Sequence, residues 1–229
     1  MISIIVHNCN EEQKLEQLLD TLHQLAHTCG KEIIISVEGS SDNTIEAINN
    51  RARIIINGKT RKSFKLNKAA QAAWGDILLF VHTDMHLPPN ILLVIEEVIY
   101  QEKFDGGGFT NKLEQNNNGK IKQIGSIRNT KFFDKKNPSD KGIFYCDNAI
   151  FIKKSAFQQL EGFKEIPFME DYDFSKRASQ QFNLKKITNP VIKISIQKRT
   201  QIGFLMTQFL WLVTHFFYKL GIFPSILAK

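Results

Sequence analysis

Cysteine is scarce in this chain. The three residues, Cys9, Cys29 and Cys146, are odd in number, far apart and without CxxC spacing. That excludes a disulfide scaffold and makes a reducing, cytoplasmic setting the simpler expectation. Zinc-finger spacing, an RNP-like aromatic pattern and a continuous basic arm are all missing, so nucleic acid is not the expected partner. His7-Asn8-Cys9-Asn10 is not a Gly-rich, basic phosphate loop, which argues against nucleotidyl transfer. Met1 to Val6 has no basic n-region and no cleavage site, so it reads as a first strand rather than a signal peptide. There is no internal repeat. There is also no unbroken membrane-spanning run, which would need about 20 apolar residues. Ile202 to Tyr218 comes nearest, but Thr207, Gln208, Trp211, Thr214, His215 and Tyr218 recur along it at helical spacing. A helix packed on the domain or on a dimer partner is expected there. Interfacial contact at the inner face of the membrane, helped by Lys198, Arg199 and Lys219, is the alternative.

What is present fits one compact α/β unit. A chain of 229 residues with 42% hydrophobic content can bury a sizeable core as a single domain. We expect residues 1–198 to form that domain and 199–229 to form a C-terminal appendage. Thirty basic residues against 23 acidic ones give a formal charge of +7, which favours anionic partners such as nucleotide diphosphates or phospholipid headgroups.

Through the first hundred residues, β-branched runs alternate with helical patterns, the signature of βα units on a parallel sheet. Strands are predicted at Ile2–Val6, Glu32–Val37, Arg53–Ile56 and Ile77–Val81. Helices are predicted at Glu11–His27, Thr44–Asn50, Lys65–Trp74 and Ile91–Tyr100, the first with Leu15, Leu18, Leu19, Leu22 and Leu25 along one side. The second half is less regular. Phe104–Leu113 reads as a strand with a flexible Gly106-Gly107-Gly108 stretch, Gln115–Gly119 as a polar turn, and Phe132–Gly142 as a mobile loop. Ile143–Ile152 and Val191–Ile196 read as strands and Asp171–Gln181 as a helix.

Acidic residues follow several of these strands: Glu38, Asp42, Asp84 and the pair Glu170-Asp171. In open α/β sheets ligands bind outside the carboxyl ends of strands, so these acids point to a metal and diphosphate site. Glu38 precedes Gly39-Ser40-Ser41, where it can accept hydrogen bonds from a uracil-type imide or a ribose. Asp42 can cap the next helix, contact nucleotide, or both. In His82-Thr83-Asp84-Met85-His86, Asp84 is the natural ligand for a hard cation, Mg²⁺ or Mn²⁺, with His82 and His86 as secondary candidates. The H-x-D-x-H order also admits zinc, but it lacks a helical i, i+4 pair. Arg61, Lys62 and Lys65, just before Asn67, can serve phosphate or ribose or can form a solvated helix face. Glu170-Asp171 opens a helix, where the dipole alone favours acids.

The residues also carry a resemblance. "ISIIVHNCNE" (Ile2–Glu11) resembles the first strand of family 2 glycosyltransferases of the GT-A fold. "VEGSSDNT" (Val37–Thr44), "LLFVHTD" (Leu78–Asp84) and "FMEDYDFSKR" (Phe168–Arg177) resemble that family's second-strand, DxD-type and EDxxLxxR segments. The resemblance implies a Rossmann-like, mainly parallel central sheet flanked by helices, with a C-terminal hydrophobic helix added. It implies an inverting glycosyltransferase with a nucleotide-diphosphate sugar, UDP-sugar favoured, a divalent cation and a hydroxyl acceptor. Asp171 matches the general base and Glu170 its neighbour. Asn10, Glu11, Glu38, Ser40, Asp42, Arg61, Lys62, Asn67, His82, Thr83 and Asp84 fall among the donor-binding positions. Cys146-Asp147-Asn148 resembles an acceptor-side segment, placing Asp147 and Asn148 on the acceptor, with Cys146 packed rather than nucleophilic. "AIFIKKSAFQQLEGF" and "LGIFPSIL" are similar to a small bacterial subgroup associated with radical-SAM/selenium domains and arsenosugar biosynthesis. His82 and Glu38 stand where the family more often has aspartate. A non-catalytic nucleotide-binding or assembly protein on the same scaffold is the competing reading.

Overall fold

The computed structural model describes residues 1–8, 12–38, 48, 50–58, 60–117, 120–124, 144, 148–195 and 204–223. Its first half follows the alternation expected. Strand β1 (Ile2–Asn8) leads to helix α1 (Glu12–Gln24), β2 (Lys31–Glu38), β3 (Arg53–Asn57), α2 (Lys62–Ala72) and β4 (Ile77–His82). The helix predicted at Thr44–Asn50 and the loop at Phe132–Gly142 lie largely or wholly outside the described residues.

β3, β2, β1 and β4 lie side by side and all parallel, so their carboxyl ends share one edge. The sheet continues through β8 (Phe151–Lys153), β6 (Gly106–Asn117), β9 (Leu184–Ser195) and β5 (Met85–His86), with β7 (Lys120–Ile124) paired to β6. β8 is antiparallel to β4 and β6, β5 is antiparallel to β9, and β6 with β9 is again parallel. A register shift between Phe109 and Asn111 falls opposite Pro190, which has no N–H to offer a ladder.

Alternation along the strands builds two cores. Ile2, Ile4 and Val6 of β1 and Ile77, Leu79 and Val81 of β4 face the leucine stripe of α1 and Ile91, Leu92 and Ile95 of α3 (Ile91–Glu96). α3 passes directly into one π-helical stretch, Glu97–Gln101. On the other face, Ile5, Leu78 and Phe80 meet α2, α4 (Lys154–Gln159) and α5 (Glu170–Gln181). Phe80, Phe157, Phe163 and Phe174 form a ring cluster there, with the Phe163 and Phe174 centroids 4.6 Å apart. Rings packed this way add to the area they bury.

Three expectations for the second half need correction. Gly106 to Gly108 is not a flexible stretch: it lies inside β6, paired to β8 on one side and β9 on the other. A Cβ on Gly107 would sit 2.2 Å from the Lys185 carbonyl oxygen, so close strand approach explains the glycine. The polar turn at Gln115–Gly119 is shorter than expected, because Gln115, Asn116 and Asn117 still pair with Lys122, Ile121 and Lys120. Of the strand predicted at Ile143–Ile152, the described residues Phe144, Asn148, Ala149 and Ile150 lie outside any strand, and Phe151 and Ile152 fall in β8. Asn148 and Ala149 precede that strand, Ala149 with a left-handed φ of 43°, and helix α4, which the sequence reading missed, follows it directly.

Helix α6 (Phe204–Lys219) closes the described chain. It packs on α5: the Tyr172 and His215 rings are 4.5 Å apart, and the Tyr218 hydroxyl donates to Asp173 Oδ1 at 2.8 Å. No helix among the described residues is long and apolar enough to cross a membrane.

Candidate active site

The site is built on the shared carboxyl edge of β1 to β4. Register places Glu38 beside Asn57 and His7 beside His82, so β1 separates Glu38's strand from His82's. Those two strands run about 10 Å apart. β4 is buried from Ile77 to Val81 and surfaces at His82, where the apolar run stops. The His7 and His82 rings meet edge to face at 6.4 Å. Asp84 sits two residues on, in the turn to β5, and its carbonyl oxygen accepts from Ser195 N at 3.0 Å, tying the turn to the end of β9. A cleft of about 460 Å³ opens beside the turn, walled in part by Lys14, Thr83, Asp84, His86 and Glu114.

Two helix N-termini meet near this edge. Lys62 opens α2 and Glu170 opens α5, and Lys62 Nζ lies 3.1 Å from Glu170 Oε1. Arg61 Nη1 donates to the Glu165 carbonyl at 2.6 Å. Unpaired N–H groups and the dipole make each such terminus a favourable place for an anion. Met169, the N-cap of α5, holds a left-handed φ of 64° while buried, a conformation a non-glycine residue adopts only when its surroundings impose it. Asp171 Oδ1 accepts from Tyr172 N at 2.7 Å.

The foot of α5 is locked. Arg177 Nε donates to Asp173 Oδ2 at 2.7 Å, Nη1 to the Leu160 carbonyl at 2.6 Å and Nη2 to the Gly162 carbonyl at 2.8 Å. Burial by itself would raise the Asp173 carboxyl. Hydrogen bonds from Arg177 and Tyr218, with the charges of Arg177 and Lys164, outweigh it and hold Asp173 below its ordinary value. Sequence reasoning passed over Arg177, although its i, i+4 spacing from Asp173 was a visible signal. It also passed over Lys62 as the partner of Glu170, for which no local signal exists.

The remaining expected residues divide as follows. Asn67 clasps the loop before α5: its Nδ2 donates to the Phe163 carbonyl at 2.8 Å, and Phe163 N donates back to its Oδ1 at 2.9 Å. Lys65 is only 2% exposed, so the solvated-face alternative does not apply to it. Asn148 is buried and donates to the Phe109 carbonyl at 2.8 Å, and His86 is exposed. Asn10, Glu11, Ser40, Asp42 and Asp147 lie outside the described residues, as does the side chain of Glu38.

Among the described residues, no three His, Cys, Asp or Glu side chains gather closely enough to hold a metal by themselves. The strand end instead offers one carboxylate, Asp84, and one imidazole, His82. That donor set suits Mg²⁺ or Mn²⁺, which take one or two protein carboxylates and fill the rest from substrate phosphates and water.

A mixed α/β sheet with four parallel strands sharing one carboxyl edge, Asp84 just past it and flanking helices on both faces is the architecture of the GT-A fold. The chain matches the family described as glycosyl transferase family 2 over residues 3–160, and it belongs to that family. No curated protein matches it in sequence. Among solved structures it is similar to S. aureus TarS residues 1–349 in complex with UDP-GlcNAc, at 17% identity and TM-score 0.67, over 90% of this chain and 60% of that one. The same TarS fragment with UDP aligns over 85% of this chain at TM-score 0.66 and 17% identity, again covering 60% of that chain. The mannosyltransferase PcManGT from Pyrobaculum calidifontis, in complex with GDP-Man and Mn²⁺, aligns at 18% identity and TM-score 0.67, over 97% of this chain and 65% of that one. The chain thus spans under two thirds of the length of these structures.

Proposed function

We propose that this protein transfers a sugar from a nucleotide-diphosphate sugar to an acceptor hydroxyl, with inversion at the anomeric carbon. The observation that carries the reading is the meeting of the α2 and α5 N-termini, Lys62 with Glu170, beside a carboxyl edge that also bears His82 and Asp84. Two positive helix ends and a lysine suit a diphosphate, and a carboxylate one residue past Glu170 suits an acceptor proton. Asp171 then takes the proton from the acceptor hydroxyl as that oxygen attacks. Glu170 holds Lys62 and the head of α5 in place. Asp84, with His82 beside it, would hold Mn²⁺ or Mg²⁺, which supplies charge neutralisation to the departing diphosphate. Direct displacement needs no second nucleophilic acid.

The structures similar to this chain hold UDP-GlcNAc, UDP, or GDP-Man with Mn²⁺. They agree on a nucleotide diphosphate and differ in the base, which supports the donor class; we place UDP first. We assign the transferase site to residues 1–198 and an accessory role to 199–229. We also keep the cytoplasmic setting and the resemblance to the radical-SAM/selenium-associated subgroup as parts of this proposal.

The test is thermal stability against UDP, GDP, CDP and ADP, each with and without Mn²⁺. A ligand at about 100 times its dissociation constant adds roughly 2.7 kcal/mol. One nucleotide should give a metal-dependent shift that Asp84→Ala removes. Asp171→Asn should keep that shift and lose about 10²- to 10⁴-fold in turnover. A flat panel would leave the non-catalytic reading standing, and an Asp171→Asn protein that turns over as wild type does would remove Asp171 as the general base.

A further inference from the structure

The positive charge of this protein is not spread along the chain. After Asp173 there is no acidic residue at all, while residues 174–229 carry nine lysines and arginines. The first 173 residues hold the other 21 basic residues against all 23 acidic ones. The whole net excess therefore comes from the last quarter of the sequence, the part that contains α6.

α6 has two unlike sides. One is fixed to α5: His215 is 5% exposed against Tyr172, whose ring also lies 5.3 Å from that of Tyr218, and Tyr218 holds Asp173. The other side is apolar and uncovered. Leu212, Phe216 and Leu220, four residues apart, are 52%, 59% and 54% exposed, and Ile222 just beyond is 52% exposed. A helix on a protein surface ordinarily turns polar groups to water on this side. A row of large apolar side chains left there marks a contact. Lys219 is exposed beside Leu220, and Lys176 on α5 is close enough, with Lys219, to act electrostatically on His215. The nearest acid in sequence, Asp173, is buried and engaged by Arg177, Lys164 and Tyr218.

We propose that this face of α6 docks on an anionic phospholipid surface. Leu212, Phe216, Leu220 and Ile222 enter the boundary between headgroups and acyl chains, while Lys219, with Lys176 nearby on α5, lies at the level of the lipid phosphates. Charge selects this occupant over a second copy of the chain. A two-fold contact through α6 would set Lys219 of one copy near Lys219 of the other, and residues 174–229 of neither copy hold an acidic side chain to answer it. Each lysine or arginine near such a bilayer strengthens partition by about fivefold, which a helix with three or four apolar anchors needs in order to stay bound. The helix lies on the surface and does not span it. Phe223, next to Ile222, packs on Phe168 two residues before Glu170, but the vesicle test reads lipid binding and not transfer, so the proposal stands or falls apart from the glycosyl-transfer reading.

The test is co-sedimentation of the full chain with vesicles of phosphatidylcholine alone and of phosphatidylcholine with about 30% phosphatidylglycerol. Wild type should pellet with the anionic vesicles and not the neutral ones. It should come off as salt rises from about 0.1 M to about 1 M, where the screening length falls from about 10 Å to about 3 Å. Lys219→Glu should weaken partition by roughly tenfold, and the pair Leu212→Ser with Phe216→Ser by at least that much. These side chains are exposed, so the variants should melt as wild type does. As a readout independent of loss, Phe216→Trp should add an emission component that shifts to the blue with anionic vesicles. Wild type remaining in the supernatant, pelleting equally with both lipids, or a Trp component that does not shift would overturn the proposal. So would a dimer by light scattering that Leu212→Ser with Phe216→Ser dissociates while no vesicle binding is seen, which would assign the face to a second copy.

Discussion

Lys62 Nζ and Glu170 Oε1 stand 3.1 Å apart, joining the first residue of α2 to the first residue of α5. A lysine at a helix N-terminus opposes the dipole, and here two such termini meet. Glu170 offsets both. The pair is partly sheltered, with side-chain exposures of 28% and 13%, so solvent weakens it without cancelling it.

Comparing wild type with Lys62→Met, Glu170→Gln and the double variant should therefore give a non-additive cycle. Glu170→Gln should be the more costly single change, because it leaves Lys62 facing two positive helix ends. The coupling expected from urea unfolding is about 0.5–1 kcal/mol. Additive effects would mean that the two side chains do not act on each other in solution.

Arg177 should matter more to the fold than any other surface-reaching cation of α5. Its guanidinium spans Asp173 and the carbonyls of Leu160 and Gly162 at once. Arg177→Ala leaves Asp173, whose side chain is 7% exposed, with weaker compensation, and breaking a buried pair in this way costs about 3–5 kcal/mol. Arg177→Lys should recover little, since an ammonium cannot reach three acceptors in a fork. Urea midpoints for the two variants decide this, and a lysine variant as stable as wild type would contradict the geometry.

The sequence made the first half of this fold legible for a physical reason. Strands β1, β2 and β4 and helix α1 are patterned by burial against their immediate neighbours, as in the α1 stripe of Leu15, Leu18, Leu19 and Leu22, all buried. The second half takes its shape from distant contacts. Gly107 needs to be glycine because of Lys185, far along the chain, and nothing near it says so. The candidate site divides the same way. Acids placed after strands could be picked out, because strand ends can be read from where an apolar run stops, as at His82 and Asp84. Lys62 meeting Glu170 and Asn67 clasping Phe163 could not, because about a hundred residues separate the partners.

Gly107→Ala tests that account of the glycines. The added methyl would meet the Lys185 carbonyl oxygen at 2.2 Å and the Phe151 ring at 2.9 Å, in a strand paired on both sides. The backbone has to move apart, and overpacking of this kind costs about 1–3 kcal/mol. Gly58→Ala, where a Cβ would meet nothing within 4 Å, is the control and should be near neutral. Equal melting temperatures for the two would return the glycine run to the status of a flexible stretch.

His215 should give stability a pH dependence that one substitution removes. Burial, and then the charges of Lys219 and Lys176, lower its pKa from 6.5 to about 4, so the folded protein keeps the imidazole neutral against Tyr172. The unfolded chain takes up a proton as pH falls below 6.5, and the folded chain does so only near 4. Stability from this group is therefore present above pH 6.5, is lost across that window, and changes no further below it. Replacing His215 with Phe should make the drop in unfolding free energy between about pH 7 and about pH 4.5 smaller by roughly 2–3 kcal/mol. Glu32, Glu96 and Asp173 also titrate at the acid end: burial raises each, hydrogen bonds more than offset it, and the net pKa is low. Their contributions are lost only as pH falls below the ordinary carboxylate range and are common to both proteins, so they cancel in the comparison. An unchanged slope in the Phe variant would show that His215 accepts its proton while folded, and a charged imidazole is incompatible with the buried packing of α6 on α5.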